Sequence, residues 1–283
     1  MDFTSFCPLA PTLEPYIDYY YIQRYDDKDT QLRYQCFPHL NNSLSLFSRA
    51  GFYFDEAGSH VQYSASGKPL ALLTVIRKAP LWVHHSGPLN KVAIVFKPLG
   101  LSAFTEQPVG LLAPNFVAAV DPFCGALDAL QARVFSVADP VQLVNLLDDF
   151  FLSLLNPKPQ CLLESLHAAV INLDAPLSLH LVAEQHGISR RHMYRLFQQH
   201  FACSPEVYRQ IARFRQVLQL ATNPEDKQTL TALAHATRHT DQSHWNKQCR
   251  KWTGYSPKNL LHTGTNLGQK DTFWCLDFEK REL

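Results

Sequence analysis

Three arginines and a tyrosine share one short stretch, RRHMYRLFQQHF, from Arg190 to Phe201. On a helix Arg191 and Arg195 stand one turn apart. Arg190, Tyr194 and Gln198 join them on the outward side. A guanidinium fork matches the O6/N7 edge of guanine, and any cation neutralises phosphate. About fifty residues on, QSHWNKQCRKW turns Gln242, Ser243, Asn246 and Lys247 outward. Gln and Asn bond adenine through paired hydrogen bonds, and Lys meets guanine or phosphate. The plain alternative for both stretches is a solvated polar helix face.

Both stretches sit in similar frames, and a repeat of this period is an architectural signal. In the first, Ser178 caps a helix over Leu179–His186, with Leu181, Val182 and Ala183 as its buried side. Gly187 ends that helix in the left-handed region, and Ser189 caps the next. Met193, Leu196 and Phe197 then face inward at helical spacing. In the second, Thr229 caps a helix with Leu230, Leu233, Ala234 and Ala236. Arg238-His239-Thr240 makes the turn, Asp241 is the N-cap, and Trp245 and Cys249 face inward. Each unit closes on Ser-Pro, at Ser204-Pro205 and Ser256-Pro257. Between them a helix starts at the Ser204 cap with Pro205 and Glu206, and runs to about Thr222 before Asn223-Pro224. Its length of roughly 27 Å, with the flanking turns, sets two reading helices about 34 Å apart, one turn of duplex DNA.

Charge is distributed to match. The 283-residue chain carries only +1 overall, but residues 160–261 hold twelve cations against seven anions. That segment is +5 and the remainder −4, which places a polyanionic partner on the C-terminal part. Seven scattered cysteines with no C-x-x-C pair argue against a disulfide framework or a zinc site. Neither a secretory leader nor an apolar run of membrane-spanning length is present, so a cytoplasmic protein is expected and no membrane partner.

The first 118 residues read as β-rich, an antiparallel sandwich or small barrel. Strand candidates are Tyr16–Tyr25, Ser43–Phe47, Gly51–Phe54, Leu70–Ile76, Leu81–His84 and Val92–Phe96. Helical spacing follows in GALDALQARVF and in DPVQLVNLLDDFFLSLL, where Asp139 caps and Pro140 starts the helix. The apolar side of that second helix is read as core or domain contact rather than a dimer seam. Asn156-Pro157-Lys158-Pro159 is the linker, and CLLESLHAAVINL the entry helix of the next domain. The division is therefore 1–156, a β-rich sensor or dimerisation domain with helices at its end; 160–262, a DNA-binding domain; and 263–283, a tail. The tail carries Phe273, Trp274 and Phe278 and reads as a partly ordered extension, with docking on the body as the alternative.

ISRRHMYRLFQQHFACSPEVY and TDQSHW…TGYSP resemble the AraC/XylS family of bacterial transcription regulators, whose pattern is S-x-x-x-L-x-R-x-F…G-x-S-P-x-x-Y and D-Q-S-H-F…T-G-x-x-P. The likeness covers Cys161 to Leu261. It implies an all-α domain with two helix-turn-helix motifs joined by a long helix. It also implies DNA contacts from Arg191, Tyr194 and Arg195 and from Gln242, Ser243, Asn246 and Lys247. FPHLNNSLSLF, VAIVFKPLGLSAF and DPFCGALDALQARV resemble more loosely a cupin-like β-domain of such regulators, which implies effector sensing or dimerisation without naming ligand residues. The overall expectation is an α+β two-domain chain. The second unit departs from the pattern. Arg238-His239 replaces Gly-Phe, Lys247 replaces an Arg, and Cys249 replaces a Phe. A non-glycine residue in a left-handed turn costs about 1 kcal/mol, and Lys lacks the bidentate fork. The second unit is therefore expected to read fewer bases than the first.

Other chemistry is weakly supported. His84 and His85 are adjacent on a strand and point to opposite faces, so they do not share a metal ion. Nucleophile-elbow, Walker and dinucleotide motifs are absent, and Asp26-Asp27 and Asp148-Asp149 read as solvated surface. No catalytic residue, metal or cofactor is expected. The expected partner is double-stranded DNA. RNA polymerase, a small-molecule effector or protein at the N-terminal domain, and a second copy of the chain are further candidates. The rival from another class is a ligand-sensing or protein-interaction module whose helix-turn-helix region has decayed.

Overall fold

Tyrosines and β-branched residues at alternating positions build two sheets in the N-terminal part. The computed structural model describes residues 2–113, 115–174, 176–222, 242–267 and 272–278, with backbone alone at 242–244 and 278. The first sheet has the order β1 (Asp2–Phe6), β2 (Ile17–Tyr25), β9 (Leu89–Phe96), β4 (Asn42–Phe47), β7 (Leu70–Thr74), β10 (Val117–Ala119). The second has the order β11 (Gly264–Asn266), β12 (Phe273–Phe278), β3 (Gln31–Cys36), β8 (Leu81–Ser86), β6 (Gly58–Tyr63), β5 (Ala50–Asp55). The sheets face each other and do not close into the expected barrel. Pairing is antiparallel apart from β6 with β8.

β2 shows why its sequence is apolar on both faces. Tyr19 and Tyr21 point between the sheets, with Tyr34, Val83 and Val95. Tyr20 and Ile22 point the other way, onto a layer of helices. A strand covered on both sides reads as a continuous apolar run rather than an alternation. The helices are α1 (Val109–Leu112), α2 (Leu127–Val134) and α3 (Pro140–Leu154). Asp139 caps α3 by accepting from Gln142 N at 2.8 Å, as its sequence predicts. Leu143, Leu147 and Phe151 enter the core, as the core reading requires. Asp148 does not lie on the surface. It is buried and accepts from Tyr20 Oη (2.8 Å) and from the amides of Leu9 and Ala10 (both 2.7 Å). Three donors are what make a carboxylate tolerable in that interior.

The C-terminal helices are α4 (Cys161–Ile171), α5 (Leu179–Gln185), α6 (Arg190–Phe201), α7 (Pro205–Thr222), α8 (Gln242–Thr253) and α9 (Pro257–Thr263). Their core holds Leu166, Met193, Phe197, Tyr208, Phe214 and Trp245, and it also takes in Phe37, Ile76 and Leu99 from the β-domain. The chain beyond α9 is not a loose extension. β12 runs antiparallel to β3, from Trp274 opposite Cys36 to Phe278 opposite Leu32. Without it β3 would be an open edge, which sheets do not leave uncovered without cost. The tail thus belongs to the N-terminal sheet, and the C-terminal part is not purely helical. No helix among the described residues is long and apolar enough to cross a membrane.

Candidate nucleic-acid interface

The first reading helix is fixed by local rules before any packing. Ser178 accepts from Leu181 N (3.3 Å) and caps α5. Gly187 takes a φ of 65°, which a Cβ would oppose. Ser189 accepts from His192 N (3.2 Å) and caps α6. Met193, Phe197 and Phe201 are buried beneath it. Val182 and Ala183 are buried under α5 as expected, but Leu181 is 53% exposed, so the buried side of α5 is narrower than its sequence suggests. α7 starts with Ser204 accepting from Val207 N (3.4 Å) and spans 18 residues to Thr222.

On the outward side, Arg190, Arg191, Arg195 and Gln198 are exposed. Arg191, Arg195, Ser189 and His192 line one shallow concavity, and Arg195 Nη2 lies 3.4 Å from His192 Nδ1. His192 is the residue that the reading of the face missed, although its place three residues before Arg195 puts it there. Tyr194 is only half exposed, and its hydroxyl donates to Glu206 at the start of α7. It braces the joint between α6 and α7. Gln198 lies at the far end of the face, where α1 packs. Gly110 sits so close there that a methyl group on it would run into the carbonyl oxygen of Gln198.

The cations of the segment divide in two. Arg209 donates to the carbonyls of Val170 (2.8 Å) and Asn172 (2.6 Å), satisfying the C-terminal end of α4. Arg215 is buried against the β-domain, and burial beside Arg77 pulls its guanidinium down to about 9. These two belong to the architecture, so the net +5 overstates the charge presented outward.

In the second unit Trp245 and Cys249 are buried, Asn246 is half exposed and Lys247 exposed, as expected. Cys249 sits in the core beside the large Trp245, and Phe214 of α7 meets that indole at 6.3 Å. Gln242 and Ser243 fall in the first turn of α8, but their side chains lie outside the described residues, as do Thr229 to Asp241 with the Arg238-His239 turn. Ser256 caps α9 by accepting from Asn259 N (3.3 Å). The two units end differently. After α8, Gly254 takes a φ of 81°, whereas after α6 the left-handed position is Ala202, with a φ of 53°. Ala there costs about 1 kcal/mol relative to Gly, so the first unit carries local strain of its own.

A family model described as a helix-turn-helix domain matches residues 182–263. That stretch runs from within α5 to the end of α9 and is a helix-turn-helix domain. A domain of this kind places its second helix in the major groove. The whole chain is also similar to solved structures of ToxT from Vibrio cholerae. One with bound unsaturated fatty acid has 10% identity and a TM-score of 0.49, covering 89% of this chain and 98% of that one. Another has 9% identity and a TM-score of 0.46, covering 93% and 98%. The AraC-like transcriptional activator CuxR has 15% identity and a TM-score of 0.20, covering 72% and 73%. No curated protein matches the chain.

Proposed function

We propose that this chain is a transcription regulator that reads two successive major grooves of duplex DNA, with α6 as the principal reading helix and α8 as the lesser one. An effector or partner acting at the β-domain controls it. The observation that carries the reading is the outward set Arg190, Arg191 and Arg195 on a helix whose opposite side is anchored by Met193, Phe197 and Phe201. Three exposed guanidinium groups on one helix face present a surface suited to phosphate and guanine. Asn246 and Lys247 supply the second contact, with Gln242 and Ser243 ahead of them on the same helix.

The test is the salt dependence of binding to duplex DNA, measured by fluorescence anisotropy on the full chain with a duplex recovered by selection from a random pool. A reader neutralising several phosphates loses about 10³-fold or more in affinity between 50 and 200 mM salt. A chain that enriches no duplex and does not bind even at low salt would be the rival module with a decayed helix-turn-helix region.

A further inference from the structure

A cavity of about 80 Å³ lies between the two sheets. Its lining includes Lys91 on β9, His85 on β8, Arg77 and Asn41. Two further lining residues, Thr272 and Trp274, come from the tail, and Trp274 is on β12. None of the lining residues is an aspartate or glutamate. Lys91 is 4% exposed. Its ammonium lies 4.9 Å from the ring centre of Tyr21, 5.7 Å from Phe47 and 5.8 Å from Trp274. Aromatic faces at these distances attract a cation but do not neutralise it. His85 is buried on the inner face while His84 points outward, and neither ring nitrogen of His85 has a protein partner. Burial holds His85 well below the ordinary imidazole range, so it is a neutral ring with one donor to offer. Asn41 Oδ1 is likewise buried without a protein partner.

An unpaired ammonium and an idle imidazole in one interior are costly to fold, and a protein that keeps them leaves polar capacity for something else. That something is negative, because every charged group in the lining is a cation. It is small, because the space holds on the order of six water-sized groups. It is partly apolar, because Phe47, Val61, Leu72, Val83 and Val95 share the walls with the hydroxyls of Ser43, Ser45, Ser59 and Thr74.

We propose that the cavity binds a short organic carboxylate, held by Lys91 and His85 and walled on one side by Thr272 and Trp274 of the tail. This rests on the effector reading above and gives its ligand a chemical class. The tail gives the site its consequence. Trp274 stacks on Tyr34 at 4.2 Å with the rings 12° apart, and Thr272 Oγ1 pairs with Tyr19 Oη at 2.6 Å. The same strand follows α8 and α9 in the chain, and Cys275 Sγ lies 3.4 Å from Thr263 Oγ1 of α9. A carboxylate that tightens the wall therefore tightens the attachment of the second reading unit to the β-domain.

The experiment is a titration of the full chain with butyrate, followed by tryptophan fluorescence and by hydrogen exchange of residues 272–278, without DNA. Butyramide is the neutral isostere, octanoate the oversized acid and inorganic phosphate the inorganic anion. Butyrate is expected to saturate, to bind best of the four and to slow exchange in β12. Lys91→Met is expected to weaken butyrate about tenfold or more, with His85→Leu as the second variant. Equal binding of butyramide, preference for phosphate or octanoate, or unchanged binding by both variants would overturn the carboxylate site. Unchanged exchange of β12 at saturation would overturn the tail wall. Butyrate binding that leaves duplex affinity unchanged would sink effector control while leaving this site standing.

Discussion

The two reading helices are tied to the β-domain by different means. α6 is pressed from outside by α1, at a contact tight enough to exclude a Cβ on Gly110. α8 touches α7 inside the helical core, and the chain beyond it re-enters the β-domain as a strand paired with β3. The first tie is a rigid contact between backbones. The second passes through a strand whose inner face lines a cavity. The difference assigns roles. The first unit is tied so as to hold its arginines in place, and on the effector reading proposed above the second is the one that would respond to what sits between the sheets.

Four changes sharpen or break this comparison, from the largest effect to the smallest. Trp274→Ala removes a buried indole stacked on Tyr34 and should lower unfolding free energy by about 3–5 kcal/mol, read by urea denaturation. A loss under about 1 kcal/mol would mean the tail strand is not part of the fold. Gly110→Val overpacks the contact between α1 and α6 and should cost about 1–3 kcal/mol while leaving butyrate binding intact.

Lys91→Met should do the reverse and stabilise. Burial pulls the Lys91 ammonium down to about 8 from the ordinary lysine value of 10.5, with Cys36, Arg77 and His85 as the titratable and charged groups around it. A lysine whose folded pKa lies below its unfolded one penalises the folded state wherever both are protonated. That penalty is complete below about 8 and fades as pH rises toward 10.5. The variant should therefore gain about 1–3 kcal/mol at pH 7, and the difference from the parent should shrink toward pH 10. A gain that grows with pH would contradict the assignment. Ala202→Gly relieves the left-handed position after α6 and should add about 0.5–1 kcal/mol with no change in DNA affinity.

What the sequence showed and what it hid follow the range of the forces involved. The caps at Ser178, Ser189 and Ser204, the turn at Gly187 and the inward set of α6 were legible because they act within a few residues. Most central strands were legible from composition. β3 was not proposed, although Leu32, Tyr34 and Cys36 alternate with Gln31, Arg33 and Gln35 in the period of a half-buried strand. β12 was hidden for a stronger reason, since its pairing partner lies some 240 residues earlier and nothing local announces it. The cavity was hidden likewise. Lys91 stands at the margin of an apolar run, and only the meeting of two sheets turns it inward toward His85 and Trp274. Tyr194 shows the converse, where helical spacing placed the residue on the outer face and only the fold reveals its bond to Glu206.

The central claim is that the chain reads DNA chiefly through α6. The direct measurement is base discrimination by the full-length protein, comparing Arg191→Ala with Arg195→Ala against Asn246→Ala with Lys247→Ala on a selected duplex and its single-base variants. The first pair should each lose about 1–3 kcal/mol of discrimination at their own positions, and the second pair less. If Asn246→Ala and Lys247→Ala relaxed the sequence preference more than the two arginine variants, the ranking of the two reading helices would be reversed.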